Sequence, residues 1–250
     1  MFPIINIGPL AIQAQGFILL IGFFFGIQLM MRFGKSEKIN VSKIESMIYW
    51  SLLAGIFGAR IGFVLKYLSV FINEPLSIFS LSPTMLENSF GVLVGIITAL
   101  IYAQKKEFLN WQTLDALSIF LSILVPAWFL ALFAAGKMIG IPGDVPWAVN
   151  ISGQYRHPTQ LYLFVLILLF LIVFLVSTRG FKRSLTSKQG IIGLSFLSWI
   201  SLSLLIVQPF IENSPVILNR IHSMQIFYWS ILVLTFYIIY FLLYKNKNNY

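Results

Sequence analysis

Cysteine is absent from the chain. That excludes a disulfide, a thiolate nucleophile and any Cys-ligated metal. Charge is scarce as well: Asp, Glu, Lys and Arg make up 10% of the residues, against roughly 25% in an average soluble domain. There are 8 acidic residues and 2 histidines, so acid–base chemistry has few carriers. The sequence is instead 58% hydrophobic, with a mean hydropathy of +0.89. A chain of 250 residues cannot hide that much apolar surface in one aqueous core, so its solvent is a bilayer. The length suits a single integral membrane domain over 1–250 and leaves no room for a large soluble one.

A spanning helix needs about 20 mostly apolar residues. Seven segments approach this, at about 11–31, 46–70, 89–104, 114–135, 159–177, 191–210 and 224–244. The third is the shortest. The expected fold class is therefore all-α, a polytopic membrane helix bundle. The connectors alternate in charge. Arg32, Lys35, Lys38 and Lys43 lie in the first, Lys105 and Lys106 in the third, and Arg179, Lys182, Arg183 and Lys188 in the fifth. Lys245 and Lys247 follow the last segment. These are twelve of the seventeen basic residues. The opposite connectors carry Lys137, Arg156 and Arg220. Because positive charge stays in the cytoplasm, the N-terminus is expected outside and the C-terminus inside. The net charge of +9 then reports topology, with some grip on anionic headgroups. No nucleic-acid recognition motif accompanies it. The first apolar run lacks the basic start and small-residue cleavage site of a signal peptide. No internal repeat is visible, and the tail KNKNNY reads as disordered.

Charged groups within spans cost about 2.5–3.5 kcal/mol each on insertion scales, so each needs a reason. Lys66 lies near a helix end, where its stem can snorkel. Arg60 lies deeper, with Gly55, Gly58 and Gly62 around it at helical spacing. Such a bare face admits another backbone or a ligand. Arg60 then either caps a neighbour's carbonyl or faces a lipid phosphate. Asp115 opens the fourth segment, where a carboxylate suits a helix N-terminus. The connector 136–156 is rich in Gly and Pro and holds Lys137 and Asp144, a compact loop of the kind that carries function on a rigid bundle. It leads into YRHPTQLY at 155–162. Pro158 suits the first helical position, and Tyr155 and Tyr162 suit a membrane boundary. Gln160 needs a buried partner. His157, beside Arg156, is either a hydrogen-bonding anchor or a general base.

RHPTQLY at 156–162 resembles the RHP-[ST]-QLYE signature of the prolipoprotein diacylglyceryl transferase family. GIFGARIGFVLKY at 55–67 is similar to that family's second-span stretch, and IPGDVPWAV at 141–149 to its G-x-P-[ST]-D-x-P-W-[AG]-V loop. SMQI at 223–226 falls where members carry S-M-x-Q. The resemblance covers about 11–244 and implies seven spans with the N-terminus out, in the bacterial cytoplasmic (inner) membrane. It implies transfer of diacylglyceryl from phosphatidylglycerol to the thiol of a lipobox Cys in a preprolipoprotein, with no metal or other cofactor. His157 and Lys137 are the candidate catalytic residues. Arg60, Asp144, Arg156, Gln160 and Tyr162 are the candidate lipid- and substrate-binding residues.

The sequence also departs from the family pattern. Phe90 stands at the His of H-G-G-L-[IV]-G. Lys137 replaces an Arg in GKMIG, which keeps the charge and loses the bidentate fork, and the Asn of that motif is missing. Gln15 stands at a Tyr position, Trp199 and Ser203 replace the Tyr and Arg of Y-G-x-x-R, and Leu163 replaces the signature's final Glu. Two readings follow: a transferase in which His157, Lys137 and Arg60 take over the missing roles, or a non-catalytic or repurposed phospholipid- or lipoprotein-binding membrane protein. A small transporter is a third class, but it calls for facing charges at mid-membrane and often inverted repeats. Only Arg60 is deep, and no repeat is present.

Overall fold

Each long apolar run folds as a helix because no water is available to satisfy its backbone within a bilayer. The computed structural model describes residues 4–7, 10–73, 75–79, 85–151, 153–178, 188–212, 215–217 and 221–244. A backbone hairpin of β1 (Ile4–Ile7) and β2 (Leu10–Gln13) leads into α1 (Ala14–Ser36). There follow α2 (Val41–Lys66), α3 (Leu68–Asn73), α4 (Asn88–Lys105) and α5 (Trp111–Ala134). A second hairpin, β3 (Val149–Ile151) and β4 (Gln154–Arg156), precedes α6 (Thr159–Ser177) and α7 (Ile191–Val207). A third, β5 (Val216–Ile217) and β6 (Ile221–His222), precedes α8 (Ser223–Tyr244).

Among the described residues, six helices are long and apolar enough to cross a membrane: α1, α2, α5, α6, α7 with its 3-10 extension to Phe210, and α8. The chain is a multi-pass membrane protein. The expected segment 89–104 forms α4 but is not one of the six, because Asn88, Ser89, Gln104 and Lys105 take up the ends of its 18 residues. Arg179, Lys182, Arg183, Arg220, Lys245, Lys247 and the rest of the tail lie outside the described residues.

The chain divides into two compact units, Asn40–Thr113 and Met1–Ile39 with Leu114–Tyr250. In the first, α2 starts on Asn40, whose side chain accepts from the Ser42 amide at 3.3 Å. The glycine face expected on α2 is occupied by α4. A methyl on Gly91 would lie 2.8 Å from the Gly55 carbonyl oxygen, one on Gly58 2.7 Å from Val94, and one on Gly62 2.5 Å from the Cβ of Phe90. The two backbones approach closely where glycine meets glycine, at Gly55 and Gly91, and the bare face of α2 takes Val94 and Phe90 of α4. Asn110 caps the start of α5 by accepting from the Thr113 amide at 2.9 Å.

In the second unit, α1 lies on α5 through Gly26, where a Cβ would meet the Phe120 ring at 2.9 Å, and through the edge-on pair Phe23–Phe120. A core of Phe129, Leu163, Ile167, Phe196 and Val207 joins α5, α6 and α7. Trp199 donates its indole N–H to the Leu166 carbonyl at 2.7 Å. Ser198 and Thr235 share a buried hydrogen bond of 2.7 Å between α7 and α8. Asp115 is a capping carboxylate, though for α7 and not for its own helix. Its two oxygens accept from the amides of Gly190 at 2.6 Å and Gly193 at 2.8 Å. At the other end of α8, Lys188 donates to the carbonyls of Leu242 and Leu243, both at 3.0 Å, where a cation suits the helix C-terminus.

Candidate functional site

The polar residues of the connector 136–156 and of YRHPTQLY gather in one headpiece of the larger unit. Its frame is backbone. Residues 139–143 lie between two other segments. On one side the Ile141 amide donates to the Phe210 carbonyl at 2.9 Å and the Glu212 amide to the Ile139 carbonyl at 3.0 Å. On the other, the His157 amide donates to the Ile141 carbonyl and the Gly143 amide to the Tyr155 carbonyl, both at 3.1 Å. These four bonds satisfy backbone groups of 139–143 without a helix.

The turn out of α5 is left-handed at Gly136 (φ 67°) and Met138 (φ 61°). Met138 carries a Cβ, so that conformation needs support. The first turn of α6 supplies it: Thr159 donates to the Met138 carbonyl at 2.9 Å and Gln160 to the Lys137 carbonyl at 2.5 Å. Gln160 is 1% exposed, so the buried partner that the sequence called for is this carbonyl. Pro158 stands just before the helix rather than in its first turn, and its carbonyl accepts from Leu161 and Tyr162.

Arg156 ties the headpiece together. Its guanidinium pairs with Glu212 at 2.7 Å, donates to the Gly140 carbonyl at 3.1 Å and to the Gln154 side chain at 2.7 Å. Lys137 and Asp144 are exposed, and neither side chain has a hydrogen-bond or ion-pair partner among the described residues. Lys137 is the headpiece's free cation.

His157 is half-buried and sits in an aromatic setting. Its ring lies 5.1 Å from that of Phe210, and its Nε2 edge rests against Gly143, where a Cβ would collide with it. Its Nδ1 is 3.0 Å from the Tyr162 hydroxyl, which in turn accepts from the Trp147 indole N–H at 2.7 Å. Trp147, Gly143, Phe210 and Glu212 were not among the expected site residues. The PWAV loop marked Trp147's neighbourhood, but only the folded chain brings it onto Tyr162.

Arg60 belongs to the smaller unit. Its guanidinium donates to the carbonyls of Ser77 (2.8 Å), Ile78 (2.9 and 3.0 Å) and Met85 (3.1 Å) and lies 5.7 Å over the Phe71 ring. Of its two expected roles the geometry is that of a carbonyl cap. Lys66 pairs with Glu87 at 2.9 Å. A Lys at position 60 offers no fork. Arg60→Lys is therefore expected to speed limited proteolysis within the 3-10 turn Pro75–Phe79 about ten-fold, since bonds to a charged donor are worth roughly 1.5 kcal/mol or more each. Lys66→Ala, which breaks an exposed pair, should leave that rate within about two-fold. Equal rates for Arg60→Lys and the unaltered protein would contradict the clamp.

The residues expected to replace the family's polar groups are engaged in packing or in helix hydrogen bonds. Phe90 covers Gly62, Leu163 is fully buried in the core, and Trp199 bonds to a helix carbonyl. Ser203 returns its hydroxyl to the Trp199 carbonyl at 2.8 Å.

The sequence model of the family described as prolipoprotein diacylglyceryl transferase matches residues 3–244. Curated relatives carry the name phosphatidylglycerol–prolipoprotein diacylglyceryl transferase. The protein from Bordetella parapertussis is 33% identical over 166 residues, 63% of each chain. That from Shewanella oneidensis is 32% identical over 196 residues, 73% of this chain and 71% of the relative. That from Brucella anthropi is 28% identical over 227 residues, 84% of this chain and 78% of the relative.

Proposed function

The chain belongs to the prolipoprotein diacylglyceryl transferase family, and we propose that it moves diacylglyceryl from phosphatidylglycerol to the thiol of a prolipoprotein's lipobox Cys. It works as one integral membrane domain of a bacterial inner membrane, with α4 as a seventh crossing beside the six, the N-terminus outside and the C-terminus in the cytoplasm, the orientation that the basic connectors favour. The observation that carries this reading is the hydrogen-bonded chain Trp147–Tyr162–His157, which holds an imidazole in one orientation in the headpiece that also carries the exposed Lys137. His157 accepts the thiol proton. The thiolate attacks the glycerol carbon, the C–O bond to phosphate breaks, and glycerol phosphate departs with the proton. Lys137 neutralises the departing phosphate as a point charge. Asp144 borders the same loop as a contact for the incoming peptide. Arg156 and Gln160 hold the headpiece in shape, and Arg60 holds the 3-10 turn Pro75–Phe79 and Met85.

Gly143 gives this reading a mutational handle. Gly143→Ala puts a methyl against His157 Nε2 and should lower transfer roughly 100-fold, the usual scale for a displaced catalytic group. Gly16→Ala, at a position with open space around it, should transfer at the unaltered rate. Gly143→Ala at full rate would take His157 out of the site.

A second reading rests on Phe90, whose ring carbon packs against Gly62 where the family pattern has a His. A Phe can neither take up a proton nor stabilise an anion. On this reading the chain binds phosphatidylglycerol or a lipoprotein without reacting. Purified protein given acyl-labelled phosphatidylglycerol and a one-Cys lipobox peptide separates the two. Label on the peptide supports transfer; retained lipid with an unlabelled peptide supports binding alone.

A further inference from the structure

The two hydrogen bonds at the Tyr162 hydroxyl can be read for where their protons lie. An indole N–H only donates, so Tyr162 is the acceptor in its 2.7 Å contact with Trp147. The phenolic proton must then point elsewhere. The hydroxyl's other partner among the described residues is His157 Nδ1 at 3.0 Å. With Tyr162 donating, Nδ1 carries the lone pair, and the neutral ring's proton sits on Nε2, the edge that rests on Gly143. The reverse arrangement would aim two donors at one phenolic oxygen and leave its own hydrogen without an acceptor among the described residues.

The tautomer matters because the basic nitrogen of His157 is then the one behind Tyr162. A thiol cannot pass its proton to Nε2, which already holds one. The route to Nδ1 that the hydrogen bond offers runs through the phenol. The S–H bond breaks as the thiol proton joins the Tyr162 oxygen, and the phenolic proton moves to Nδ1. Tyr162 ends as it began, and His157 becomes imidazolium.

We propose that Tyr162 is the positioning residue of His157: its hydroxyl, oriented by the Trp147 indole N–H, fixes the Nε2–H tautomer and is the route by which a proton reaches Nδ1. The tautomer stands on geometry alone, whereas the proton route rests on the transferase reading above. It reassigns Tyr162 from substrate contact to the handling of a proton, and it gives Trp147 a part that its 60% exposure would otherwise assign to the membrane boundary.

The test is nitrogen-15 NMR of the full-length protein in detergent, labelled on histidine, at about pH 8.5, where an ordinary imidazole is neutral. The His157 signal is the one missing from His157→Gln. The expected spectrum has a protonated Nε2 and an unprotonated Nδ1. Tyr162→Phe should turn it into a tautomer mixture, and Trp147→Phe should do so in part. An Nδ1–H tautomer overturns the proposal. So does an Nε2–H tautomer that Tyr162→Phe leaves unchanged. In the transfer assay, Tyr162→Phe should lower kcat about 100-fold with KM within about two-fold. An unchanged kcat overturns the proton route even if the tautomer is as expected. Should the unaltered protein transfer nothing, the transferase reading fails by itself, and the spectrum still decides the tautomer.

Discussion

Replacing Asp115 with Ala should lower the thermal midpoint of the detergent-solubilised protein by about 10 °C. Asp115 is 5% exposed, and each of its oxygens holds one amide at the start of α7, from Gly190 and Gly193. Hydrogen bonds to a charged group contribute roughly 1.5–3 kcal/mol each, and the two buried N–H groups would be left without acceptors. The loss is about 3–5 kcal/mol, or about 10 °C at the 2–4 °C per kcal/mol usual for a chain of this size. Gly190 has φ 89°, a conformation that an L side chain resists, so the cap fixes the chain where no other residue would readily replace it. Asp115→Asn keeps one acceptor but turns an NH₂ towards the other amide, and should lose about half as much. A midpoint for Asp115→Ala within 2 °C of the unaltered protein would rule the cap out as a main support. The effect should reach the headpiece too. α7 runs from this cap to the 3-10 turn Gln208–Phe210, about 26 Å at 1.5 Å per residue, and Phe210 packs against His157.

His157→Gln should reduce transfer by about 10²–10⁴-fold, the range that a positioned general base supplies, while phosphatidylglycerol binding stays within a few-fold. Gln can still accept from Tyr162, so the headpiece keeps its shape, but its amide cannot take up a proton. A parallel fall in binding and transfer would make His157 a headgroup contact. No fall in either would make it a helix anchor.

Most of the helices were legible in the sequence because their signal is local. The expected segment 159–177 is α6 to the residue, and 224–244 differs from α8 by one. These helices are bounded by Pro158 and by the polar run before Ser223, which mark ends whatever surrounds them. Segment 46–70 was less accurate: α2 starts earlier, at Val41, and stops at Lys66. The Asn40 cap there lies outside the apolar run, and hydropathy alone cannot see it.

The candidate site was legible as residue types, but its partners were not. YRHPTQLY announced polar groups in need of contacts. The partners of Gln160 and Asp115 lie 23 and 75–78 residues away, a distance that no spacing rule covers. Arg60 shows the same limit. Its glycine-lined face read equally well as a ligand cleft or a packing seam, and α4 fills it. The departures from the family pattern are clearest in three dimensions: Leu163 and Trp199 are committed to α6–α7 packing, whereas His157 and Lys137 are not committed to any core.

One assay bears most directly on what the protein does: transfer of acyl-chain label from phosphatidylglycerol to a one-Cys lipobox peptide by the purified chain, run beside a relative of established activity. The expected result is labelled peptide with the unaltered protein and almost none with His157→Gln. Unlabelled peptide from the unaltered protein, with the relative active under the same conditions, would contradict it and leave a lipid-binding scaffold in which Phe90 has replaced the reacting group.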